Sequence, residues 1–513
     1  MSWRPFRSAH ARFARGAALS AAAIVAATTG CEAIVDGAPR TLEACHPGAL
    51  RCGASVRERC DPLGQRFDPD PCPTDTPACV EGVCWACDPA VALGDDVLGD
   101  CARPLCVGGS VTSTADDSDV PSDGDRCTTE RCEGGKPVVT FTAPMNRPCE
   151  IAKGASEQNA CTRTPDGRVV CWGSNANGQL GLGSADALVH APTVVVGLPP
   201  VRGVAVGCEH ALAWTATGEA WGWGSNAHAE TRAAVGPAAH DPVTITFDQP
   251  VLQMAAGCTH SCAVLADHTA MCWGENTHGQ LGVGDADSRT SPTSVVGPRN
   301  AARLEHIKEI AAGTDSTCAL LDSGDLYCWG LAEATGAGHP ESDPDVVAPE
   351  WVASSATSIS VGVASACAGF ADGGVSCFGY NSFGQCGADP SAFVFASTPQ
   401  TIDVGDATDS SPGFSHACAV VASGVACWGG NYWGQLGQGD GCGAGCPGDL
   451  DVTPAWVVGT APGVEQVVAS WIFSCALRAG EVSCWGGNFQ GQLGDGTSSS
   501  GRDTAQPIVW PLQ

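Results

Sequence analysis

Between residues 150 and 513, apolar and polar positions alternate in short bursts and never settle into helical stripes. One stretch stands for the rest. Residues 255–265 read as a short strand, Asp267-His268 as a turn, and residues 270–274 as the returning strand. Asn276-Thr277-His278-Gly279-Gln280-Leu281-Gly282 follows as a glycine-punctuated loop, and Pro292 leads into Ser294-Val295-Val296, a further strand. Each strand is brief and each joint carries turn residues, which is an all-β pattern.

The pattern repeats. An aromatic-Gly step recurs at Trp172, Trp223, Trp273, Trp329, Phe378, Trp428 and Trp485, spaced 49–57 residues apart. Seven copies of a unit of several short strands imply radial closure. The expected fold class is all-β, a seven-bladed β-propeller over 150–513 preceded by a small disulfide-rich segment over 31–149.

Cysteine placement sharpens this picture. Cys161 pairs in position with Cys171, Cys262 with Cys272, Cys318 with Cys328, Cys367 with Cys377, Cys418 with Cys427, and Cys475 with Cys484. The separation is ten in four copies and nine in two, where the turn is one residue shorter. The two members of each pair would face each other across a hairpin, within disulfide reach. Copy two replaces both members, by Leu212 and Gly222, as a bonded pair predicts. The neighbouring Trp points to the opposite side of the sheet and would wedge between blades. Cys208 and Cys258 hold one place in consecutive copies and could bridge blades. Cys442 and Cys446 could pair locally, and Cys386 reads as a buried apolar substitute.

The N-terminal third differs. Arg4, Arg7, Arg12 and Arg15 precede an alanine-rich apolar run and Thr28-Thr29-Gly30-Cys31. This is the order of a secretory signal over 1–30, too short for a comfortable membrane span. Its end resembles the lipobox of bacterial lipoproteins, which implies lipid attachment at Cys31, although Thr28 stands where that family prefers Leu. Twelve further cysteines lie between Cys45 and Cys149, among Pro, Gly and Asp. Disulfides would have to hold a segment with so little core. Cys84-Trp85-Ala86-Cys87 has redox or zinc spacing, but structural bridges are the simpler reading. Asp116, Asp117, Asp119, Asp123 and Asp125 suit a solvated linker better than calcium, because Pro121 interrupts the ligand spacing.

Composition narrows the function classes. The formal charge is −30, and Gly accounts for 66 of 513 residues. An acidic chain without a basic tract is a poor nucleic-acid binder. Thirty cysteines point to an oxidising compartment.

Cys-Trp-Gly followed by Asn-x-x-Gly-Gln-Leu-Gly-x-Gly, with a preceding Gly-x-x-His, resembles the regulator of chromosome condensation repeat. The loop is intact at 175–183, 276–284, 431–439 and 488–496 and nearly so at 381–387; copies two and four depart from it. The resemblance implies a seven-bladed propeller. It also implies guanine nucleotide exchange or nucleosome binding for the family's nuclear member, roles that an exported acidic chain does not suit. Secreted bacterial members that bind proteins through one rim suit it better.

Candidate sites divide on this basis. His210, His260 and His416 share the Gly-x-x-His place and read as hydrogen-bonded turn residues. The loop acids Asp285, Asp287, Asp440 and Asp495 read as solvated. No catalytic serine or zinc-protease motif is present, so no catalytic residue, cofactor or metal is expected. Tyr380, Phe383, Tyr432, Trp433 and Phe489 lie in or beside the loops of copies five to seven and are the candidate partner-binding residues. The expected protein is a non-catalytic, monomeric interaction scaffold at the cell envelope or outside the cell. It would be held to a membrane only by an N-terminal lipid and would bind another protein or a glycan, but no nucleic acid. The alternatives are a secreted hydrolase or lyase acting on polysaccharide, and an exchange factor by family analogy.

Overall fold

A computed structural model describes strands at Leu50–Cys52, Arg57–Cys60, Phe67–Asp70, Ala102–Val107 and Ser110–Ala115. From residue 125 to 511 it describes all but 134–135, 156–157, 185–187, 232–234, 340–343, 364, 393 and 440–449. The signal segment, Cys31, Cys84, Cys87, the acids 116–123, Asp440, Cys442 and Cys446 lie outside the described residues.

Seven antiparallel four-stranded sheets follow one another along the chain. They span 150–194, 203–245, 251–294, 307–353, 356–402, 407–456 and 466–507, and are numbered here as blades 1 to 7. Blade 3 is representative, with Val251–Ala256, His260–Leu265, Ala270–Gly274 and Arg289–Ser294 as its first to fourth strands. The run 255–265, expected as one strand, is therefore split between two. Gly257 breaks it because the backbone of blade 4 approaches there: a Cβ on Gly257 would lie 2.5 Å from the Gly313 carbonyl oxygen. Helix among the described residues is limited to two three-residue turns, Pro298–Asn300 and Ala332–Ala334.

The first strands line a central channel of about 670 Å³. The core lies between blades: seven apolar clusters occupy the seven junctions, the last joining blade 7 to blade 1. Side-chain alternation sorts each hairpin. Cys262 and Cys272 face blade 4, whereas Trp273 faces blade 2.

The hairpin cysteines pair as their spacing predicts. Cys161 is bonded to Cys171 in blade 1, Cys262 to Cys272 in blade 3, and Cys318 to Cys328 in blade 4. Cys367 is bonded to Cys377 in blade 5, Cys418 to Cys427 in blade 6, and Cys475 to Cys484 in blade 7. The members of each pair stand directly opposite in the register of second and third strands. Their Cα atoms are 4.1 Å apart in all six. Leu212 and Gly222 hold the same opposed places in blade 2. Cys208 is bonded to Cys258, linking blades 2 and 3, and Cys386 is free and buried.

Both margins of each blade need protection, because a sheet edge exposes unpaired peptide groups. On the inner margin, side chains imitate a peptide. Gln253 accepts from the Ile310 N–H at 3.0 Å and donates to its carbonyl at 3.3 Å. Gln466 does the same with Ile151, at 2.8 Å both ways, across the junction that closes the ring. On the outer margin, proline removes the donor from six fourth strands, at Pro192, Pro242, Pro292, Pro349, Pro399 and Pro454. Blade 7 has Ala505 there, and its N–H is occupied by the Val458 carbonyl at 2.9 Å.

The compact unit that holds the propeller comprises Ser122–Glu130 and Val139–Gln513. Its leading residues are tied to blade 1. Cys127 is bonded to Cys149, and buried Arg163 pairs with Asp125 and, at 2.8 Å, with Glu150. Trp510 Nε1 donates to the Asn146 carbonyl at 2.7 Å, so the C-terminal segment meets the stretch that leads into blade 1.

Candidate interaction face

The loops after the third strands share one end of the propeller with the turns between first and second strands, since His260 pairs in register with Gly274. The loop sequence dictates its own shape. In blade 3, Asn276 Oδ1 accepts from the Leu281 N–H at 2.9 Å, and Gln280 Oε1 accepts from the His278 N–H at 3.0 Å. Gly279 and Gly282 take the left-handed conformation, with φ of 76° and 66°. The same asparagine bond recurs from Asn175, Asn226, Asn381, Asn431 and Asn488. Copy two, which departs from the motif in sequence, thus keeps the loop: Ala229 adopts φ 71° and Glu230 takes the glutamine's place, accepting from the His228 N–H at 2.8 Å. Copy four does depart, because its loop Leu331–Gly336 is two residues shorter than the others.

Beneath the loops the blades are latched together. Trp329 Nε1 and Thr317 Oγ1 of blade 4 both donate to the Gln280 carbonyl of blade 3, at 2.9 and 2.8 Å. Because the Thr317 hydroxyl donates there, it accepts from His260 Nε2 at 2.8 Å. His210 reaches Ser261 at 2.9 Å and His416 reaches Ser474 at 2.7 Å. These histidines therefore bond across to the next blade, not within their own turns, with each ring packed against the neighbouring glycine of its turn. Burial holds them neutral, with pKa values lowered to about 3 for His210, about 4 for His260 and about 3 for His416. Among the described residues no three His, Cys, Asp or Glu side chains converge on a metal-sized site.

The latch leaves the second and third loop residues displayed at the surface. In blades 5 to 7 these include Phe383, Tyr432, Trp433 and Phe489, with Tyr380 just before the loop at the end of its strand; the five predicted aromatics fall into two contact groups. Trp433 stands edge-on to Tyr432 and to Phe489, with centroids 4.7 and 4.8 Å apart. Tyr432 and Phe489 are 48% and 40% exposed, which leaves them available to a partner. Tyr380 and Phe383 instead join Phe395 and Phe414, and Phe414 meets Trp471 at 5.9 Å. Phe395, Phe414 and Trp471 escape a reading of the loops alone. Phe414 and Trp471 stand second in the turn that carries Gly-x-x-His, where other copies have Cys208 and Cys258, so aligning the copies at that turn would have exposed them.

Blades 2 to 4 carry polar groups at the same end. His278 Nδ1 lies 2.9 Å from Asp345 Oδ2, and His228 Nε2 lies 4.0 Å from Glu275 Oε2. Burial raises the Asp315 pKa, and the charges of Glu275 and Asp345 push it further up, against the opposing effect of His278. The loop acids Asp285 and Asp495 are engaged by Arg289 at 2.7 Å and Arg502 at 2.5 Å.

Comparison with known proteins adds a family relation. Models of the regulator of chromosome condensation (RCC1) repeat match residues 166–214 and 267–320, and a second form matches 251–280. The ultraviolet-B receptor UVR8 of Arabidopsis thaliana is 28% identical over 375 residues, covering 70% of this chain and 81% of the receptor. The human E3 ubiquitin-protein ligase HERC2 is 27% identical over 376 residues, 69% of this chain but 6% of HERC2. The structure of yeast RCC1 (Prp20) bound to Kap60 superimposes with a TM-score of 0.57 at 21% identity, covering 66% of this chain and 83% of that one.

Proposed function

We propose that this seven-bladed propeller of RCC1 repeats is an exported interaction scaffold, lipid-anchored through Cys31, that binds another macromolecule at the cell envelope through the loop face of blades 5 to 7. The observation that carries the reading is the pair of display positions filled by Tyr432 and Trp433 against Phe489, with Tyr432 and Phe489 about half in solvent and Trp433 partly so. Such anchors supply much of the binding energy at protein interfaces. The N-terminal order of arginines, apolar run and small residues before Cys31 supports export and lipidation. Yeast Prp20, which is bound to Kap60 in its structure, lends the family precedent for a protein partner.

The test is capture of partners from an envelope extract by the mature chain, compared with the Tyr432→Ala, Trp433→Ala double variant. Tyr432 is exposed and Trp433 partly exposed, and neither belongs to a blade-junction core, so the double variant should fold. Loss of the captured partner is the expected outcome, and full retention rules out the aromatic face. Incorporation of a tagged fatty acid should disappear in Cys31→Ser; unchanged incorporation removes the anchor from the proposal.

A further inference from the structure

The loop face is divided chemically as well as geometrically. Within residues 208–210, 225–239, 275–289, 314–316 and 331–346, the loops and turns of blades 2 to 4, there are ten acids, two arginines and no aromatic residue; Arg232, Glu341 and Asp343 among them lie outside the described residues. Of the two, Arg289 is already occupied by Asp285. The corresponding segments of blades 5 to 7 contain half as many acids (five) and one arginine, Arg502, which Asp495 engages, and they hold the aromatics Tyr380, Phe395, Phe414, Tyr432, Trp433 and Trp471 among others.

The two halves are continuous. The turns between first and second strands form a hydrogen-bonded collar around the channel mouth. Cys258 N–H bonds the Gly313 carbonyl at 3.2 Å, Thr314 N–H the Val363 carbonyl at 3.1 Å, and Phe414 N–H the Ser470 carbonyl at 3.2 Å. Asp315 of blade 4 and Phe414 of blade 6 thus stand on one collar, with only the turn of blade 5 between them. Glu209 is exposed, and Glu275, Asp315 and Asp345 are half-exposed around the acidic side.

We infer that the partner of this face is a cationic protein segment whose apolar side chains cover Phe414, Trp471 and their neighbours while its arginines or lysines meet Glu209, Glu275, Asp315 and Asp345. The inference rests on the proposed function and adds the chemistry of the partner. Charge complementarity selects the occupant: an anionic or neutral ligand leaves the acids crowded, whereas a guanidinium or ammonium relieves them. The aromatic half favours the same partner, since arginine stacks on aromatic faces as well as pairing with carboxylates.

Two fluorescein-labelled synthetic dodecapeptides, one alternating Arg and Leu and one alternating Glu and Leu, serve as probes, with neutral chito-oligosaccharides as the opposing ligand. Fluorescence anisotropy should show saturable binding of the Arg-Leu peptide and none of the Glu-Leu peptide. The Glu275→Gln, Asp315→Asn, Asp345→Asn triple variant should weaken it at least tenfold, and so should the Phe414→Ala, Trp471→Ala double variant. The Asp322→Asn, Asp325→Asn, Asp372→Asn triple variant, which removes as much charge from the hairpin turns at the opposite end, should leave it within twofold. Circular dichroism and melting show that each variant is folded, and Glu209→Gln, at an exposed position, gives a milder test should the loop-face triple variant not fold. Equal loss from both acidic triples overturns the inference by reducing it to net charge, as does binding of the oligosaccharide in place of the peptide. Where the envelope partner is lost with the Tyr432→Ala, Trp433→Ala variant but kept with the loop-face acidic triple, the scaffold reading stands and the cationic partner falls.

Discussion

The junction between blades 3 and 4 and the junction between blades 4 and 5 solve one problem in two ways. At the first, the Gln280 carbonyl takes an indole N–H and a hydroxyl from the next blade, and His260 completes the chain. At the second, Phe378 replaces the tryptophan and has no N–H to give. The loop it faces, Leu331–Gly336, is also the shortened one, and a Cβ on Gly336 would lie 2.4 Å from the Phe378 ring. The indole donor is gone, and the smaller ring faces a shorter loop. A blade junction therefore tolerates either ring, and the loop that faces it changes length with the ring.

Breaking the latched junction outright should have the largest effect. Trp329→Ala removes a fully buried ring from the core between blades 3 and 4 and should cost about 3–5 kcal/mol of unfolding free energy in urea titration. Exchanging the two solutions should be milder and unfavourable in both directions. Trp329→Phe keeps the Thr317 hydroxyl on the Gln280 carbonyl and should cost about 1 kcal/mol. Phe378→Trp forces a larger ring against Gly336 and should cost about 1–3 kcal/mol. A gain in stability from Phe378→Trp would break the comparison.

Sequence and structure diverge at instructive places. Glycines and the Cys-Trp-Gly step made the blades legible, because turn chemistry and strand alternation are local and recur seven times. The hairpin disulfides were legible for the same reason, since Cys318 and Cys328 are placed opposite by a turn of fixed length between them. The Gly257 break was not legible, since its cause is the Gly313 carbonyl of another blade. The destination of His260 was equally hidden: its acceptor, Thr317, lies 57 residues away. The aromatic candidates on the loops could be named from sequence, but Phe414 and Trp471 could not be joined to Tyr380 before the collar placed them side by side.

Acid should separate the two kinds of junction next. His210, His260 and His416 are neutral in the folded chain down to about pH 3–4, whereas in the unfolded chain they take up protons near their ordinary value of 6.5. Their stabilising contribution is complete above pH 6.5 and is lost as the pH falls, because only the unfolded state gains the protons. Each should remove about 1.4 kcal/mol for every pH unit below 6.5. Blade 4 carries Ser316 at the corresponding place, and so the junction with blade 5 has no such group to titrate. Urea titrations at pH 7 and pH 5 should show a smaller acid loss in His260→Asn than in the wild-type chain, by about 2 kcal/mol. An unchanged difference would mean that His260 is not held neutral.

The smallest effect tests whether loop geometry or loop sequence governs the face. Ala229 holds φ 71° where the intact loops have glycine, a conformation that costs an L-residue about 1–2 kcal/mol. Ala229→Gly removes that strain but adds freedom to the unfolded chain, and a net gain of under about 1 kcal/mol is expected. The mirror change, Gly279→Ala, imposes the same conformation and also brings a Cβ to 2.8 Å from Val347 Cα, so it should lose more than Ala229→Gly gains. If the loop of blade 2 is held by Asn226 as the others are held by their asparagines, Ala229→Gly should raise the melting temperature and leave the binding of the Arg-Leu peptide unchanged. A fall in stability would show that blade 2 has adapted its neighbours to alanine, as blade 4 has adapted its loop to phenylalanine.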